Sequence, residues 1–461
     1  MNKFEALLQV EPSRRARREV ALQVVSAALA AVEPGAAIRN ALHFDEAKGE
    51  LQVENHCYNL NDYKRIIVVG AGKASAPMAA ALYQLLGARI TAGWVNVKYG
   101  YCLAPHEQSG PIIVHEAGHP ILDEAGAFGT LRIVELLQDL TANDMVISLI
   151  SGGASALLEL PVAGVSLTAM QSLTEALLRA GATINQINAV RKHLSQVKGG
   201  NLARLAAPAT HIGLIVSDVV GSPLDVIGSG PTAPDTTTFQ TAWQALETFG
   251  LTTANLVPTA ILEHLRQGVA GAVEDTPKPG DTIFERVQNV IVADNRVAAL
   301  AAVAQAQALG FHTLLLSTFV EGEAREVVRG LASIVKEIQT YDTPLARPAC
   351  VLAGGETTVT VRGNGKGGRN QEMGLAAALA LTGYSDFMVI PLATDGSDGP
   401  TDAAGVIVEA DTLSRADALG LDATDFLSRN DAYHFFQSLG DLLLIGPTNT
   451  NVNDLTLFFC F

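Results

Sequence analysis

The sequence predicts an α/β fold with a parallel sheet that helices cover on both faces. Short β-branched apolar runs recur along the chain, and apolar patterns of helical period lie between them. In the first half, strands are predicted at 66–70, 92–98, 111–115, 145–150 and 211–217, and helices at 75–86, 125–137, 167–182 and 185–205.

A second alternating series follows a region of different character. Residues 231–281 contain two helical patterns, 240–249 and 256–267, and end in the polar, proline-containing segment 274–281. The second series has predicted strands at 287–293, 313–317, 350–353, 388–393, 406–408 and 442–445. Because 461 residues exceed one ordinary core, we predict a first domain at 1–240, a helical crossover at 241–284 and a second domain at 285–461.

Composition excludes several classes of protein. A hydrophobic content of 48% with 17% charged residues is typical of a globular chain. The net charge of −16 argues against a general nucleic-acid or membrane-surface binder. Four scattered cysteines fit a reducing compartment, and no apolar run of about 18 residues predicts a membrane span. We therefore expect a cytoplasmic location, and we interpret the arginine cluster at 14–18 as a solvated helix start.

A glycine-rich segment in the second half predicts an anion site. A buried strand at 349–353 leads through Gly354 and Gly355 into a second strand ending near residue 361. A loop with Lys366 and Gly368 follows, and Arg369 stands where a helix begins. Glycines let the backbone approach a ligand, and a helix N-terminus favours an anion. The alternative is a mobile hairpin with two solvated cations.

The first strand of the chain ends in a similar turn. Gly70 and Gly72 precede Lys73 at the start of the helix predicted at 75–86. The turn is not a P-loop, because Ala74 replaces the required Ser or Thr. A dinucleotide site would need an acid after the second strand, which ends in Lys98 instead. Lys73 therefore remains either an anion ligand or a surface lysine after a packing turn.

Hydroxyls and glycines follow the strand at 145–150. Ser151, Gly152, Gly153 and Ser155 form a strand–turn–helix junction without a lysine. Such a junction suits a small carboxylate, or a phosphate held by backbone amides. The alternative is close packing of helix on sheet, with Ser155 as a helix cap.

More cations lie in the helix predicted at 185–205. Arg191, Ser195 and Lys198 are spaced to share one helical face. They would hold an anionic ligand or form a solvated basic surface. His119, in a turn with Asp123, is interpreted as structural.

Carboxylates follow two other strands. Asp218 comes directly after the strand at 211–217, where an unpaired acid would be costly. Asp395 belongs to an aspartate- and glycine-rich loop at 394–405. Oxygen ligands of this kind suit Mg²⁺, whereas the alternative is local capping of turns. Cations, glycine-rich loops and carboxylates together suggest phosphoryl transfer.

The motifs, taken in order, resemble the glycerate 2-kinase family, whose C-terminal half is called the MOFRL domain and whose members have also been labelled hydroxypyruvate reductases. The resemblance extends from about residue 15 to the end of the chain. It rests on the segments 70–75, 118–120, 151–157, 191–195, 198–200, 217–219, 228–232, 354–357, 368–372, 394–396, 398–401 and 450–455.

The resemblance implies transfer of the γ-phosphoryl group of ATP to the 2-hydroxyl of D-glycerate with Mg²⁺. It also implies two three-layer α/β/α domains. The first would be Rossmann-like with a parallel sheet and the second would have a mixed sheet, with the active site in the cleft between them. The family's catalytic lysine and arginine correspond to Lys73 and Arg369. One departure is Asp225, since the family would place an acid nearer Ser222.

These expectations combine into one hypothesis. Lys73 and Arg369 neutralise the transferring phosphoryl group, Asp218 acts as base or metal ligand, and Glu356 and Asp395 are further metal candidates. The segment 151–155 with Arg191 and Lys198 binds substrate or phosphate, as do Gly70, Gly72, Gly354, Gly355, Lys366 and Gly368. The expected partners are D-glycerate and ATP, with no nucleic acid and no membrane, and a homodimer is left open. An NAD(P)H-dependent hydroxypyruvate reductase and a non-catalytic anion sensor are the alternatives.

Overall fold

The structure, a computed structural model, describes residues 2–104, 106–252 and 257–461. It separates into two compact units. The N-terminal unit comprises Pro34–Val292, and the C-terminal unit comprises Met1–Glu33 together with Ala293–Phe461. The domain limits predicted from the sequence stay a prediction. The contact-defined units differ from them because the segment up to Glu33 groups with the C-terminal unit and residues 285–292 group with the N-terminal unit.

The elements follow the predicted alternation over most of the chain. The strands are β1 Leu42–Asp45, β2 Glu50–Val53, β3 His56–Asn59, β4 Arg65–Ala71, β5 Ala92–Lys98, β6 Ile112–Ala117, β7 Asp144–Ile150, β8 Thr210–Val216, β9 Val287–Ala293, β10 His312–Glu323, β11 Ala349–Thr358, β12 Phe387–Ala393, β13 Val408–Glu409 and β14 Asp454–Cys460. The α-helices are α1 Pro12–Ala31, α2 Pro34–Ala41, α3 Ser75–Leu86, α4 Glu124–Leu136, α5 Ala154–Leu157, α6 Leu167–Arg179, α7 Ile184–Lys192, α8 Asn201–Ala206, α9 Phe239–Thr248, α10 Thr259–Val269, α11 Asn295–Ala308, α12 Ala324–Tyr341, α13 Arg369–Ala380, α14 Thr412–Ala418, α15 Ala423–Ser428 and α16 Ala432–Leu439.

The N-terminal unit is built on a six-stranded sheet of order β6-β5-β4-β7-β8-β9. The pairs from β6 to β8 are parallel. The first strand of this sheet along the chain is β4, at its centre. The chain then adds β5 and β6 on one side of β4, and β7 and β8 on the other side. This is the Rossmann order, and it confirms the predicted parallel α/β fold. Buried apolar side chains of β4 and β7 form the core, among them Ile67, Val69, Val146 and Ile150.

A helical subdomain completes this unit. Helices α6, α7, α9 and α10 bury a common apolar core. The helix predicted at 185–205 is wrong in extent: α7 ends at Lys192, and α8 begins only after Gly199 and Gly200, which both have positive φ. The first residue of the helix predicted at 256–267, Leu256, lies outside the described residues.

The segment expected to be a linker is attached to the N-terminal unit. Asp275 accepts a hydrogen bond from Lys278 at 3.1 Å and contacts the ring of His193 at 2.9 Å. The following strand, β9, pairs in the six-stranded sheet, although it was predicted to open the second series. Proline and charge in 274–281 suggested a linker, but the non-local contact between Asp275 and His193 attaches the segment to the helical subdomain.

The C-terminal unit has a mixed sheet of order β10-β11-β14-β12-β13, as predicted for the second domain. The β10–β11 pair is parallel, and the other pairs are antiparallel. Helices α1 and α11 pack together, as do α12 and α13, and both groups contact the sheet. Apolar residues of α12, α13 and the sheet share one core.

Several local predictions for this unit are wrong. The two strands predicted at 349–353 and from there to 361 are one strand, β11, which ends at Thr358. The segment 442–445 contributes a single bridge rather than a strand. The central strand β14 was missed. Arg18 is fully buried, and its guanidinium bonds Glu409 and Asp441, each at 2.6 Å, so the arginine cluster is not simply solvated.

One observation bears on membranes. No single helix within the described ranges is long and apolar enough to cross a bilayer, although α1 and α2 taken as a pair meet the length and composition criterion.

Candidate active site

The first polar site lies where the strand order of the N-terminal unit reverses. Strands β4 and β7 are parallel neighbours, with Ala71 opposite Ile150. The chain continues from them into Gly72 and Lys73 on one side and into Ser151 on the other. In open α/β sheets, ligands bind outside the carboxyl ends of strands at such a reversal. We call the two turns at 71–75 and 151–155 the switch-point loops.

The switch-point loops are locked to each other by backbone contacts. The amide of Lys73 donates to the carbonyl of Gly152 at 2.9 Å, and the amide of Ala74 donates to Ser151 Oγ at 3.0 Å. Gly72 has φ +140°, and a Cβ there would lie 2.1 Å from Ser151 Oγ. Glycine is therefore required at this position, and Lys73 leaves the sheet in a defined direction.

Lys73 stands just before α3, whose N-terminus favours negative charge. Its ammonium makes no hydrogen bond or ion pair within the part of the chain that the structure describes. His119 is close by, and its ring lies 3.0 Å from the position of a Cβ on Gly153. Burial, together with the charges of Lys73 and Lys98, lowers the pKa of His119 to about 4. The imidazole is thus neutral at pH 7 and does not compensate a ligand's charge.

Asp218 faces the same loops. It follows β8 by two residues, and its Oδ2 atom lies 2.3 Å from where a Cβ on Gly152 would be. Gly152 therefore makes room for this carboxylate. Asp225, the departure from the family pattern, lies 3.7 Å from the buried ammonium of Lys192. Lys192 also bonds Asp235 at 3.1 Å, so the ammonium of Lys192 is compensated within the protein.

Arg191 and Ser155 extend the switch-point site. Arg191 Nη2 donates to the carbonyl oxygen of Ser155 at 3.0 Å. Among the described residues, the buried Nε of Arg191 has no hydrogen-bond partner. The Ser155 hydroxyl lies 3.2 Å from that of Ser229. Arg191 is therefore positioned by the loop and retains donors for an anion.

Lys198 is placed differently. It is fully buried, and its ammonium donates to Glu159 at 2.6 Å and to the carbonyl of Leu158 at 2.8 Å. Burial lowers the pKa of Lys198 to about 8, although Glu159 opposes the shift. The helical face expected to join Lys198 to Arg191 is wrong, because α7 has ended before Lys198. Its direct role toward substrate stays a prediction, and the ion pair gives it a structural role.

The second polar site lies in the C-terminal unit. Asp454 begins β14 and stands opposite Gly355 of β11 and Ala393 of β12. Arg369, the first residue of α13, bonds both Asp454 oxygens, through Nε at 2.5 Å and Nη2 at 3.0 Å. Its Nη1 donates to Glu356 at 2.9 Å. We call Arg369, Asp454 and Glu356 the arginine–carboxylate site.

The arginine–carboxylate site leaves part of the guanidinium available. Arginine has five N–H donors, and the three bonds above use three of them. Burial works to lower the pKa of Arg369, but hydrogen bonding and charge from Asp454 and Glu356 outweigh it and raise the pKa. The cation is permanent, with two N–H groups left for a ligand.

Asp398 lies beside this site. It accepts the amide of Gln371 at 2.8 Å in the first turn of α13. Burial and the nearby Asp454 raise the pKa of Asp398 to about 7. A Cβ on Gly368 would lie 2.3 Å from Asp398 Cγ, so glycine is needed for this carboxylate to reach the helix N-terminus.

The glycine-rich loop before Arg369 is anchored, not mobile. The amides of Gly363 and Gly365 donate to Asn430 Oδ1 and the Arg429 carbonyl at 3.1 and 3.0 Å. The amide of Lys366 donates to Asp431 at 2.9 Å, and its ammonium lies 3.8 Å from the ring centre of Tyr433. These amides are therefore already used within the protein.

Gly354 and Gly355 allow close packing instead. A Cβ on Gly354 would lie 1.9 Å from Asn295 Oδ1, and one on Gly355 would lie 2.1 Å from the carbonyl oxygen of Val320. With Asp454 and Thr357 they line a small cavity at the strand ends.

The carboxylates offer ligands for Mg²⁺ without forming a cage. Within residues 2–104, 106–252 and 257–461, no three His, Cys, Asp or Glu side chains are grouped as metal ligands. Mg²⁺ usually takes one or two carboxylates and completes its shell with water and substrate phosphates. Glu356 is 44% exposed, and Asp395, which accepts the Ser397 amide at 3.1 Å, is partly exposed. The donor chemistry therefore fits such a shared shell.

Asp454 and Asn295 were not identified as site residues from the sequence. Asp454 lies in the segment 450–455, which was noted only as a motif. Asn295 Nδ2 donates to the Asp454 carbonyl at 2.8 Å from the start of α11. The position of Asp454 directly after the polar segment 450–453 could have identified it as a site residue. No feature of the sequence around Asn295 predicts its contact with Asp454.

Cations and carboxylates at the ends of buried strands define a class, the α/β proteins that bind anionic ligands at strand termini. Residues 20–266 match a family described as a domain of unknown function, DUF4147, and residues 349–454 match the MOFRL family. D-glycerate 2-kinase of Thermotoga maritima is 41% identical over 440 residues, which cover 95% of this chain and 97% of the relative.

Another relative and a solved structure are similar over nearly the whole chain. An Agrobacterium vitis protein with the provisional name hydroxypyruvate reductase is 39% identical over 440 residues, 95% of this chain and 93% of its own. The crystal structure of glycerate kinase from Thermotoga maritima matches with a TM-score of 0.85 at 40% identity, covering 97% of this chain and 100% of that chain. The chain belongs to the glycerate 2-kinase family.

Proposed function

We propose that this protein is a glycerate 2-kinase, which transfers the γ-phosphoryl group of ATP to the 2-hydroxyl of D-glycerate. The observation that carries the proposal is the relationship to D-glycerate 2-kinase over nearly the whole of both chains. The end of β5 also supports it. A dinucleotide-binding unit would place an acid there for the ribose, and this chain has Lys98.

Two cations support the proposal. Lys73 has an uncommitted ammonium on a rigid turn, and Arg369 has two N–H groups beyond its carboxylate partners. In phosphoryl transfer, positioning and charge neutralisation supply most of the catalysis. We propose that each neutralises phosphate charge as it develops.

Further roles are proposed for residues of the switch-point loops and their neighbours in the N-terminal unit. We propose that Arg191 and the amides after Ser151 bind the glycerate carboxylate or a nucleotide phosphate. Asp218, which faces Gly152, is the proposed base for the 2-hydroxyl proton or a ligand of the metal. A base must lie within hydrogen-bonding reach of the proton that it removes.

ATP is the phosphoryl donor that this activity implies, and Mg²⁺ is the proposed metal. Its candidate carboxylate ligands are Asp218 in the N-terminal unit, and Glu356 and Asp395 in the C-terminal unit. When bound, Mg²⁺ would neutralise phosphate charge. A cytoplasmic location and a homodimer stay predictions, and light scattering coupled to size exclusion tests the dimer.

Phosphorus NMR tests the reaction directly. Purified protein with D-glycerate, ATP and Mg²⁺ should yield 2-phosphoglycerate, and omission of Mg²⁺ should abolish the product. Exclusive 3-phosphoglycerate would contradict the 2-kinase assignment. In a parallel assay, rapid NADH oxidation with hydroxypyruvate and no kinase activity would favour the reductase alternative.

Single substitutions test the two cations. Lys73→Ala and Arg369→Ala should each lower kcat by roughly 10³-fold, the low end for a cation that stabilises phosphoryl transfer. Lys64→Ala, at the exposed residue directly before β4, is the matched lysine control and should retain activity. Wild-type kcat in either test variant would remove that residue from the site.

A further inference from the structure

Arg369 has an unusual support for a cation proposed to act on phosphate. Its Nε and Nη2 atoms form a two-point contact with Asp454. The side chain of Asp454 is 8% exposed, whereas Glu356, which makes one contact with Nη1, is 44% exposed. The two carboxylates are therefore not equivalent. The two-point contact fixes the plane of the guanidinium, and a single contact to a solvated side chain does not.

The backbone of Asp454 is held from three sides. It pairs with Gly355 of β11 and Ala393 of β12 at the centre of the sheet. Its carbonyl oxygen also accepts a bond from Asn295 Nδ2 at 2.8 Å, and the same amide group bonds the Val452 carbonyl at 2.9 Å. A carboxylate on a central strand moves less than one on a loop, so Asp454 is a rigid reference point.

We propose that Asp454 is a positioning residue for Arg369, which fixes the guanidinium so that its two remaining N–H groups point toward the transferring phosphoryl group. The inference rests on the proposed function, because it assigns a use to those two donors. It does not require Asp454 to touch substrate. Asp454 acts through Arg369, which distinguishes it from Glu356 and Asp395 as metal candidates.

Loss of this contact should affect turnover more than binding. In Asp454→Asn the side chain keeps its size, but the neutral amide offers one acceptor oxygen instead of two, so the two-point ion contact is lost. A misplacement of about 1 Å in a catalytic group can reduce rate roughly 100-fold. We expect kcat to fall about 30- to 100-fold, while the KM for D-glycerate changes by less than about threefold. A general loss of structure would instead lower the fraction of active enzyme.

A double-mutant cycle separates positioning from a structural role. In the Arg369→Ala background, Asp454→Asn should change kcat by less than about threefold, because the group it positions is gone. The double variant should also be more stable than Arg369→Ala, since that single change leaves a buried carboxylate without its cation. Full multiplication of the two kcat effects would overturn the inference.

Asp441→Asn is the matched control. Asp441 is a buried carboxylate of the same unit, 1% exposed, and it bonds Arg18 and Arg415, each at 2.6 Å. This variant should have a lower melting temperature than the wild-type protein but an unchanged kcat. If it lowers kcat as much as Asp454→Asn does, loss of a buried ion pair explains both effects and the inference fails.

A charge-conserving variant covers the case in which Asp454→Asn does not fold. Asp454→Glu keeps the ion pair but moves the carboxylate by one methylene, and kcat should still fall at least about fivefold with little loss of melting temperature. Unchanged kcat in Asp454→Glu would overturn the inference. Unchanged kcat in Arg369→Ala would reject the proposed role of Arg369 itself. Multiplicative effects in the double-mutant cycle would instead reject only the positioning role of Asp454.

Discussion

Lys198→Met separates a structural role of this lysine from a role in binding substrate. The change removes the ammonium and keeps a side chain of similar length. It leaves the carboxylate of Glu159, which is 1% exposed, without its cation. The other oxygen of Glu159, Oε1, already has no hydrogen-bond partner among the described residues. The variant would therefore contain a buried, uncompensated charge.

The expected cost is large. Removal of one partner of a buried ion pair typically destabilises a protein by about 3–5 kcal/mol. Total stabilities of single domains are about 5–15 kcal/mol, so the N-terminal unit would lose a substantial fraction. Because the pKa of Lys198 is about 8, the ammonium is still mostly protonated at pH 7 and the ion pair is present there. The second change Glu159→Leu should recover most of the loss, since an apolar replacement of a buried pair is often near neutral.

The assay is urea unfolding followed by far-UV circular dichroism, with kcat and KM measured on the folded variants. We expect a lower unfolding midpoint for Lys198→Met, recovery in the double variant, and a KM for D-glycerate within about threefold of wild type. An unchanged midpoint with a KM raised tenfold or more would refute this reasoning. That result would support the binding role predicted from the sequence.

Three further predictions concern the N-terminal unit. Asp218→Asn should lower kcat at least about 100-fold. In a Mg²⁺ titration of this variant, recovery of kcat at high Mg²⁺ would indicate a metal ligand, and no recovery would indicate a base. Near-normal kcat at ordinary Mg²⁺ would exclude both roles. Gly72→Ala should lower the melting temperature or kcat, because the new Cβ would lie 2.1 Å from Ser151 Oγ at a residue whose φ is +140°. Gly330→Ala is the matched control, because a Cβ at Gly330 would meet open space. The control should keep both its melting temperature and its kcat. Burial lowers the pKa of His211 from 6.5 to about 4, so the unfolded state binds the extra proton between these values and stability should fall by about 3 kcal/mol as pH drops through that window. The slope of unfolding free energy against pH should be shallower in His211→Gln, and an identical slope would contradict the assignment.

Much of the fold follows from local pattern. The runs predicted at 66–70 and 145–150 became β4 and β7 to within one residue at each end, and α3 has the predicted limits, Ser75–Leu86. Both β4 and β7 are buried on two faces, so their signal is a continuous apolar run that needs no knowledge of partners. The loops that follow these two strands were predictable for the same reason. Gly72 and Lys73 follow β4 directly, Ser151 and Gly152 follow β7 directly, and parallel strands bring their carboxyl ends to one edge of the sheet.

Other features depended on partners distant in sequence. β14 was missed although it is the centre of its sheet, and β9 was assigned to the wrong series. Apolar content predicts that a segment is buried but does not say which strand edge it will pair with. Lys198 was likewise placed on a helical face, because its spacing from Arg191 fits a helix until Gly199 and Gly200 are seen at positive φ.

The sequence by itself determined the alternating α/β pattern, the glycine turns and the types of charged residue at the strand ends, because these depend on periodicity and on neighbours in the chain. The tertiary structure decided which charges compensate each other. Arg369 meets Asp454 across 85 positions, Arg18 meets Asp441 across 423, and Lys198 meets Glu159 across 39. The physical reason is that a buried charge needs a partner in space, and strand order and packing choose that partner.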